Sequence, residues 1–152
     1  NAEKIINSLK SKKCELVLPF DIVCAHALDD TADRGTFSVN SCPKKRMILD
    51  IGPLTCKKII NVIDKSKTFI WNGPLGAFEI RPFDQGTNII AKYVANRTLE
   101  KKLISIAGGG DTVSALKVSG SVPKFSYVST AGGAFLEWLE GKSLPGVESL
   151  KL

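Results

Sequence analysis

The stretch ISIAGGGDTVSAL, residues 104–116, places three glycines between an apolar run and a helical pattern. Glycine loses more conformational freedom on folding than any other residue, so a run of three needs a compensating role. A glycine-rich turn from a strand into a helix lets backbone N–H groups come close to a bulky anion, and the amino end of the helix adds partial positive charge. The stretch therefore predicts a strand, an anion-binding turn and a helix, in that order.

Asp111 follows the last of these glycines, and its carboxylate has two interpretations. It could cap the helix and do nothing more, or it could belong to the anion site. The two common nucleotide fingerprints, G-x-x-x-x-G-K-[ST] and G-x-G-x-x-G, are absent from the chain. The motif by itself leaves both interpretations open.

Short strands and helices surround this stretch. Helical periodicity predicts helices over 2–12, 54–65, 83–100, 111–118 and 133–140. Apolar runs predict strands in ELVLP (15–19), DIVCAHA (21–27), GTFSVN (35–40), MILDIGP (47–53), KTFIWNGP (67–74), KLISIAGGG (102–110) and FSYVST (125–130). From residue 50 onward strands and helices alternate, which is typical of parallel strands joined by right-handed helical crossovers. The predicted fold class is α/β, with a parallel sheet and helices on both faces.

Ligands of such sheets bind at the carboxyl ends of the strands. Three predicted strand ends carry polar or glycine-rich sequence: WNGP (71–74), GGGDT (108–112) and STAGG (129–133). Two glycine-rich turns on neighbouring parallel strands would direct two sets of backbone donors to one place. Trp71 and Phe78, beside the first of these strand ends, are predicted to be packing residues.

Composition and charge restrict the partners. The chain of 152 residues is 43% hydrophobic and 24% charged, with a formal net charge of +6. Lysine and arginine are scattered, and the densest group, residues 44–46, is not part of a basic stripe interleaved with aromatics, so nucleic acid is not expected as a partner. The apolar runs are too short to span a bilayer, so no membrane is expected either.

Four cysteines, at positions 14, 24, 42 and 56, form no C-x-x-C pair. His26 lies two residues after Cys24, but a structural zinc site would need a second pair. The acidic turn with Asp29, Asp30 and Asp33 lacks the glycine and glutamate of a calcium loop and is predicted to be solvated. Reduced thiols and a cytoplasmic location are therefore expected.

Four motifs, DIGP (50–53), WNGPLGAFE (71–79), GGGDT (108–112) and STAGGAFLEWLEGKSLPGVESL (129–150), occur in an order and spacing that resemble the carboxyl-terminal portion of phosphoglycerate kinases. The resemblance implies a Rossmann-like domain of a glycolytic phosphotransferase with a carboxyl group as acceptor. Such an enzyme moves a phosphoryl group reversibly between 1,3-bisphosphoglycerate and ADP, giving 3-phosphoglycerate and ATP, and its cofactor is Mg²⁺ with ATP or ADP.

The resemblance also implies a domain organisation. Residues 1–152 would form a partial nucleotide-binding, carboxyl-terminal domain of a monomeric two-domain kinase. The amino-terminal substrate domain, and a glycine-lysine segment that lines the nucleotide site, would lie outside this chain. The sheet would then lack strands and present an open edge, and the chain alone would not transfer phosphate.

At the base and sugar end of the nucleotide, the resemblance assigns three contacts. Leu49 would touch the adenine, Pro74 would pack near the sugar, and Glu79 would accept its hydroxyl groups. The family usually has glycine where this chain has Ile48, so the adenine pocket is expected to be narrower.

At the phosphate end, the resemblance assigns the remaining residues. Asn72 would reach the phosphates, Asp111 would hold Mg²⁺, and Thr112 would add a hydroxyl at the helix start. Two glycine pairs would act in catalysis, one through backbone donors to the phosphates and one by stabilising the transferring phosphoryl group: Gly109, Gly110, Gly132 and Gly133. Where the family usually has a third glycine in the second turn, this chain has Ala131, which needs a negative φ to avoid strain.

Two other functions compete with the phosphotransferase. The first is a nucleotide- or anion-binding fragment with no chemistry of its own. The second is a dinucleotide-dependent oxidoreductase, against which the absence of G-x-G-x-x-G and of a ribose-binding acid about twenty residues later argues.

Overall fold

The computed structural model describes residues 2–12 and 14–150, and within them the strands form two three-stranded sheets. The antiparallel sheet, in the order β2-β1-β3, consists of β1 (Asp21–Ala25), β2 (Arg34–Ser38) and β3 (Met47–Ile51). The parallel sheet, in the order β4-β5-β6, consists of β4 (Thr68–Trp71), β5 (Ile104–Gly108) and β6 (Tyr127–Ser129). The helices are α1 (Ala2–Ser11), α2 (Pro53–Asp64), α3 (Gln85–Leu99), α4 (Gly110–Val118), α5 (Gly132–Leu139) and α6 (Pro145–Glu148).

The parallel sheet confirms the predicted α/β class. Phe69 and Trp71 of β4 face the same side as Ala107 of β5, because their registers match, and this side packs on α3 and α4. Trp71 is 4% exposed and Phe78 is 9% exposed, so both are packing residues as predicted. Helix α5 contacts β5 and lines a groove with Ile106, on the other face. Helices therefore flank this sheet on both faces.

Strand β3 differs from the prediction, because it pairs antiparallel with β1 and does not join the parallel sheet. The connection from β2 to β3 covers residues 39–46 and contains only a short 3₁₀ turn, Val39–Ser41. Strands β2 and β3 both pair antiparallel with β1, so they run in the same direction at the two edges of the sheet. The connection therefore crosses from one edge to the other, and β3 is placed beside β1 by long-range pairing that the local sequence pattern does not show.

The strand predicted at residues 15–19 is wrong. Residues 14–19 have no regular structure, and Leu16 and Leu18 are exposed. No strand in the described part of the chain pairs with this run, and a single run without a ladder partner is not stable as a strand.

Helix α2 is anchored at its first turn by Asp21, a buried residue of β1. The Asp21 carboxylate accepts hydrogen bonds from the backbone N–H groups of Leu54 (3.0 Å) and Thr55 (2.8 Å) and from the Thr55 hydroxyl (2.7 Å). These bonds satisfy amides that have no intrahelical acceptor. No helix in the described residues is long and apolar enough to cross a membrane.

Candidate functional site

The carboxyl ends of β5 and β6 meet as the sequence predicts, and their glycine-rich turns pack backbone against backbone. A Cβ atom built on Gly132 would lie 2.3 Å from the Cα atom and 2.6 Å from the N atom of Gly109. The Gly109 amide donates a hydrogen bond to the Ser129 carbonyl at 3.2 Å. Position 132 therefore has no room for a side chain, and the two turns form one surface.

The start of α4 supplies the backbone donors of this surface. Gly109 has φ +103, a left-handed conformation that favours glycine. The first intrahelical hydrogen bond runs from the Val113 amide to the Gly109 carbonyl at 2.9 Å, so the amides of residues 110–112 have no acceptor within the helix. A Cβ atom on Gly110 or Gly133 would meet nothing within 4 Å. Packing within the described residues therefore does not explain why these two positions are glycine.

Asp111 is exposed and lies in the first turn of α4, after the N-cap residue Gly109. Within residues 2–12 and 14–150 its carboxylate has no hydrogen bond or ion pair, so the capping interpretation finds no bond to support it. Those residues also contain no group of three or more His, Cys, Asp and Glu side chains that could hold a metal ion by themselves. Mg²⁺ commonly uses one or two carboxylates together with substrate phosphates, and a free carboxylate beside unpaired helix amides fits that arrangement.

Asn72 and Thr112 meet at Gly109. A Cβ atom on Gly109 would lie 3.5 Å from both Asn72 Oδ1 and Thr112 Oγ1. Thr112 is 2% exposed, and its hydroxyl oxygen accepts a hydrogen bond from the Gly73 amide at 2.7 Å. The hydroxyl predicted at the helix start therefore ties the end of β4 to α4, and Asn72 is the exposed polar side chain beside it.

Leu49 and Pro74 lie together on an apolar groove of about 360 Å³. Ile22 and Leu75 line the same groove. Pockets for small ligands are mostly apolar, with a few polar groups that fix orientation, and this groove has the composition for a flat base or sugar. Glu79 is elsewhere: it is exposed and lines a separate depression with Asp29, Asp30 and Arg81. The structure thus brings Leu49 and Pro74 together, and the role of Glu79 stays a prediction.

Comparison with known proteins identifies the family. The sequence profile of phosphoglycerate kinase matches residues 1–142. The chain belongs to the phosphoglycerate kinase family. It is 51% identical over 150 residues to a phosphoglycerate kinase of Methylorubrum populi, covering 99% of this chain and 38% of that protein. It is 52% identical over 151 residues to one of Brucella melitensis, covering 99% and 38%.

Solved phosphoglycerate kinases have the same fold. The kinase of Coxiella burnetii superposes with a TM-score of 0.88 at 39% identity, covering 97% of this chain and 37% of that one. The kinase of Pyrococcus horikoshii superposes with a TM-score of 0.71 at 25% identity, covering 98% and 38%. The chain thus spans well under half the length of its phosphoglycerate kinase relatives.

The two departures from the family pattern have different consequences. Ala131 has φ −87 and ψ 60, so the alanine avoids the left-handed region and carries no strain of that kind. Ile48 is 58% exposed and lines the groove of Leu49 and Pro74. Its side chain therefore occupies space in the groove that a glycine would leave empty. The narrower pocket expected at this end is consistent with that position.

Sequence reasoning missed Asp50, a 2% exposed carboxylate beneath this groove. Its signal was present in MILDI (47–51), where one charged residue interrupts an apolar strand. Charged residues are almost never fully buried without partners. A carboxylate inside a predicted strand was therefore evidence for a buried polar role.

Proposed function

We propose that the complete protein transfers a phosphoryl group reversibly between 1,3-bisphosphoglycerate and ADP, giving 3-phosphoglycerate and ATP in cytoplasmic glycolysis, and that this chain carries part of its Mg-nucleotide site. The observation that carries the proposal is the joined surface of the two glycine turns, where the amides of residues 110–112 have no acceptor within α4 and Asp111, in the same helical turn, has no hydrogen bond or ion pair within the described residues. Family membership supports the same reaction.

At the phosphate end, the residues position and neutralise charge. The amides of residues 110–112 would donate hydrogen bonds to phosphate oxygens, and the Asn72 amide would add a side-chain donor. Asp111 would hold Mg²⁺, which when bound neutralises negative charge on the phosphates. The start of α5 at Gly132 and Gly133 would present a second set of amides to the transferring group. Phosphoryl transfer depends mainly on positioning and electrostatic stabilisation, which such donors supply.

At the other end, Leu49 and Pro74 would bind the adenine and the sugar by apolar contact. Glu79 would accept the sugar hydroxyls, which requires its carboxylate to move from the separate depression that it lines to the groove. The partners of the complete enzyme would be ADP or ATP and the two phosphoglycerates, and the enzyme would be a monomer.

The chain by itself is expected not to transfer phosphate. It corresponds to 38% of the length of its relatives, and by family resemblance the domain for the acid substrate lies in the remainder. Aligning two bound reactants supplies about 7–11 kcal/mol of the barrier reduction in such reactions. Weak nucleotide binding without turnover would identify the chain as a nucleotide-binding fragment with no chemistry of its own.

The proposal is tested by Asp111→Ala in the full-length polypeptide. Loss of a charged group that stabilises the transferring phosphates should lower kcat by about 100-fold or more, with little change in melting temperature. Glu3→Ala is the matched control, because Glu3 is also an exposed acid in the first turn of a helix. A variant at position 111 that melts several degrees lower but keeps normal turnover would show that Asp111 stabilises only the helix.

A further inference from the structure

Asp50 is the most enclosed carboxylate in the described part of the chain, and it connects strand β3 to helix α3. It lies in β3, and its Oδ2 atom accepts a hydrogen bond from the Gly86 amide in the first turn of α3 at 2.7 Å. Its Oδ1 atom accepts one from the Ile51 amide at 2.8 Å. The carboxylate therefore holds the start of α3 against the antiparallel sheet.

Two glycines close onto this carboxylate. A Cβ atom on Gly76 would lie 2.3 Å from Asp50 Oδ1, and one on Gly86 would lie 2.5 Å from the same atom. Gly76 belongs to the segment that follows β4 and carries Pro74. The backbone of this segment thus rests directly on the charged group.

The same segment is fixed on both sides of Gly76. The Ala77 amide donates a hydrogen bond to the Leu49 carbonyl at 2.8 Å, and the Leu75 amide donates one to the Thr87 hydroxyl oxygen at 3.0 Å. Leu49 and Pro74, the two residues proposed to contact adenine and sugar, are therefore connected through the neighbours of Asp50. Both walls of the groove are therefore attached to backbone that borders the Asp50 carboxylate.

The charges around Asp50 do not favour its ionised form. Burial raises its pKa to about 6, and the charge of Asp84, the N-cap residue of α3, acts in the same direction, while the Gly86, Ile51 and Gln85 amides oppose the shift. Cys56 of α2 is also close enough to feel the Asp50 charge, and burial raises the pKa of that thiol to about 11, so it is neutral at physiological pH. Within the described residues no cation forms an ion pair with Asp50. Arg81 pairs with Asp84, with its Nε atom 4.0 Å from Asp84 Oδ2.

We propose that Asp50 is a positioning residue for the base-binding end of the nucleotide site, and that its charge state makes nucleotide affinity depend on pH. The inference rests on the proposed function. The ionised carboxylate accepts two N–H donors with two oxygens. A protonated carboxyl group presents an O–H to one of those donors, so one hydrogen bond weakens and the segment around Gly76 loses its support.

Acidification then has opposite effects on the fold and on the site. Protonation removes a buried charge, so this carboxyl group opposes folding less at low pH. It also loosens the groove of Leu49 and Pro74, so affinity falls as the pH drops through about 6. A carboxylate with a structural role alone would change stability and leave affinity unaffected.

The experiment compares three full-length proteins: wild type, Asp50→Asn and Asp21→Asn. Asp21 is the matched control because it is also a buried strand carboxylate bound to the first-turn amides of a helix. Affinity for Mg-ADP and for adenosine is titrated by calorimetry between pH 5 and pH 8. Adenosine carries no phosphate group, so its pH profile reports on the protein side of the groove.

In wild type, adenosine affinity should fall by about tenfold from pH 7.5 to pH 5, the equivalent of one lost hydrogen bond. Asp50→Asn should bind about tenfold more weakly than wild type at pH 7.5 and show no further fall, while Asp21→Asn should follow the wild-type profile. The inference would be overturned if adenosine affinity depended on pH equally in wild type and Asp50→Asn, or if the affinity of wild type did not change with pH. The wild-type measurement does not depend on the folding of any variant. Absence of Mg-ADP binding by wild type at every pH would instead overturn the proposed function.

Discussion

Asp21 and Asp50 are both buried carboxylates of the antiparallel sheet, but their pKa values are shifted in opposite directions. Each is a buried strand carboxylate that binds first-turn amides of a helix, α2 for Asp21 and α3 for Asp50. Burial raises the pKa of Asp21, but the Thr55 side chain and the Leu54 and Thr55 amides together outweigh burial and leave the pKa below its ordinary value. At Asp50 the effect of burial exceeds that of the backbone hydrogen bonds, and the pKa is raised to about 6.

The difference shows what each carboxylate does for the molecule. A charge whose pKa is lowered in the folded state stabilises the fold at neutral pH, whereas a charge whose pKa is raised destabilises it. For Asp50 the shift corresponds to about 3 kcal/mol at neutral pH. Asp21 anchors a helix at no such cost. Asp50 lies under the segment that carries Pro74. Because its ionised form does not stabilise the fold, we infer that its role is to position the groove of Leu49 and Pro74.

The largest effect should come from exchanging each aspartate for asparagine at pH 7. Asp21→Asn places an amide donor against the Leu54 or Thr55 N–H, which leaves a buried donor unpaired and should lower the free energy of unfolding by about 2 kcal/mol. Asp50→Asn loses one hydrogen bond but also removes the buried charge, so its free energy of unfolding should equal or exceed that of wild type by up to about 1 kcal/mol.

Urea unfolding followed by circular dichroism measures this difference, expected to be about 2–3 kcal/mol between the two variants. Equal losses in both variants would mean that the two carboxylates play the same structural role. The difference in pKa between them would then have no functional consequence.

The distinction between the two aspartates could not be predicted from the sequence. The parallel strands β4 to β6, the helices α2 to α5 and the glycine turns could be, because hydrophobic periodicity and glycine position report local structure. Long-range placement decided the rest. Nothing in DIGP shows that Gly76 and Gly86, 26 and 36 positions later, close onto Asp50. The error at residues 15–19 has the same origin, because an apolar run becomes a strand only where a partner lies beside it.

The pH dependence of stability should be of intermediate size. The folded pKa of Asp50 is about 6, above its ordinary 3.8, so the folded state holds a proton between these values that the unfolded state releases. Stability contributed by this group is therefore present below about pH 4 and is lost as the pH rises through 6. Between pH 4.5 and pH 7.5, wild type should lose about 2 kcal/mol relative to Asp50→Asn.

Asp21 should behave in the opposite sense. Its folded pKa is lowered, so its contribution is present above about pH 4 and is lost as the pH falls below that value. Unfolding curves of wild type and both variants at the two pH values check both signs. A gap between wild type and Asp50→Asn that does not change with pH would show that Asp50 is protonated, or ionised, throughout.

The smallest effect concerns the threonine beside each aspartate. Thr55 Oγ1 accepts hydrogen bonds from the Phe20 and Asp21 amides and donates to the Asp21 carboxylate, whereas Thr87 Oγ1 accepts one from the Leu75 amide at 3.0 Å. Thr87→Val keeps the shape of this 1% exposed side chain and leaves one partly buried amide unpaired, so it should cost about 1 kcal/mol of stability. Because that amide adjoins Pro74, adenosine affinity should fall as well.

Thr87→Ser keeps the hydroxyl and should restore the affinity, while Thr55→Val should cost more stability and leave adenosine binding unchanged. Calorimetric titration with adenosine, together with urea unfolding, distinguishes the roles of the two threonines. If Thr55→Val folds but binds adenosine as weakly as Thr87→Val, the groove depends on the starts of both α2 and α3.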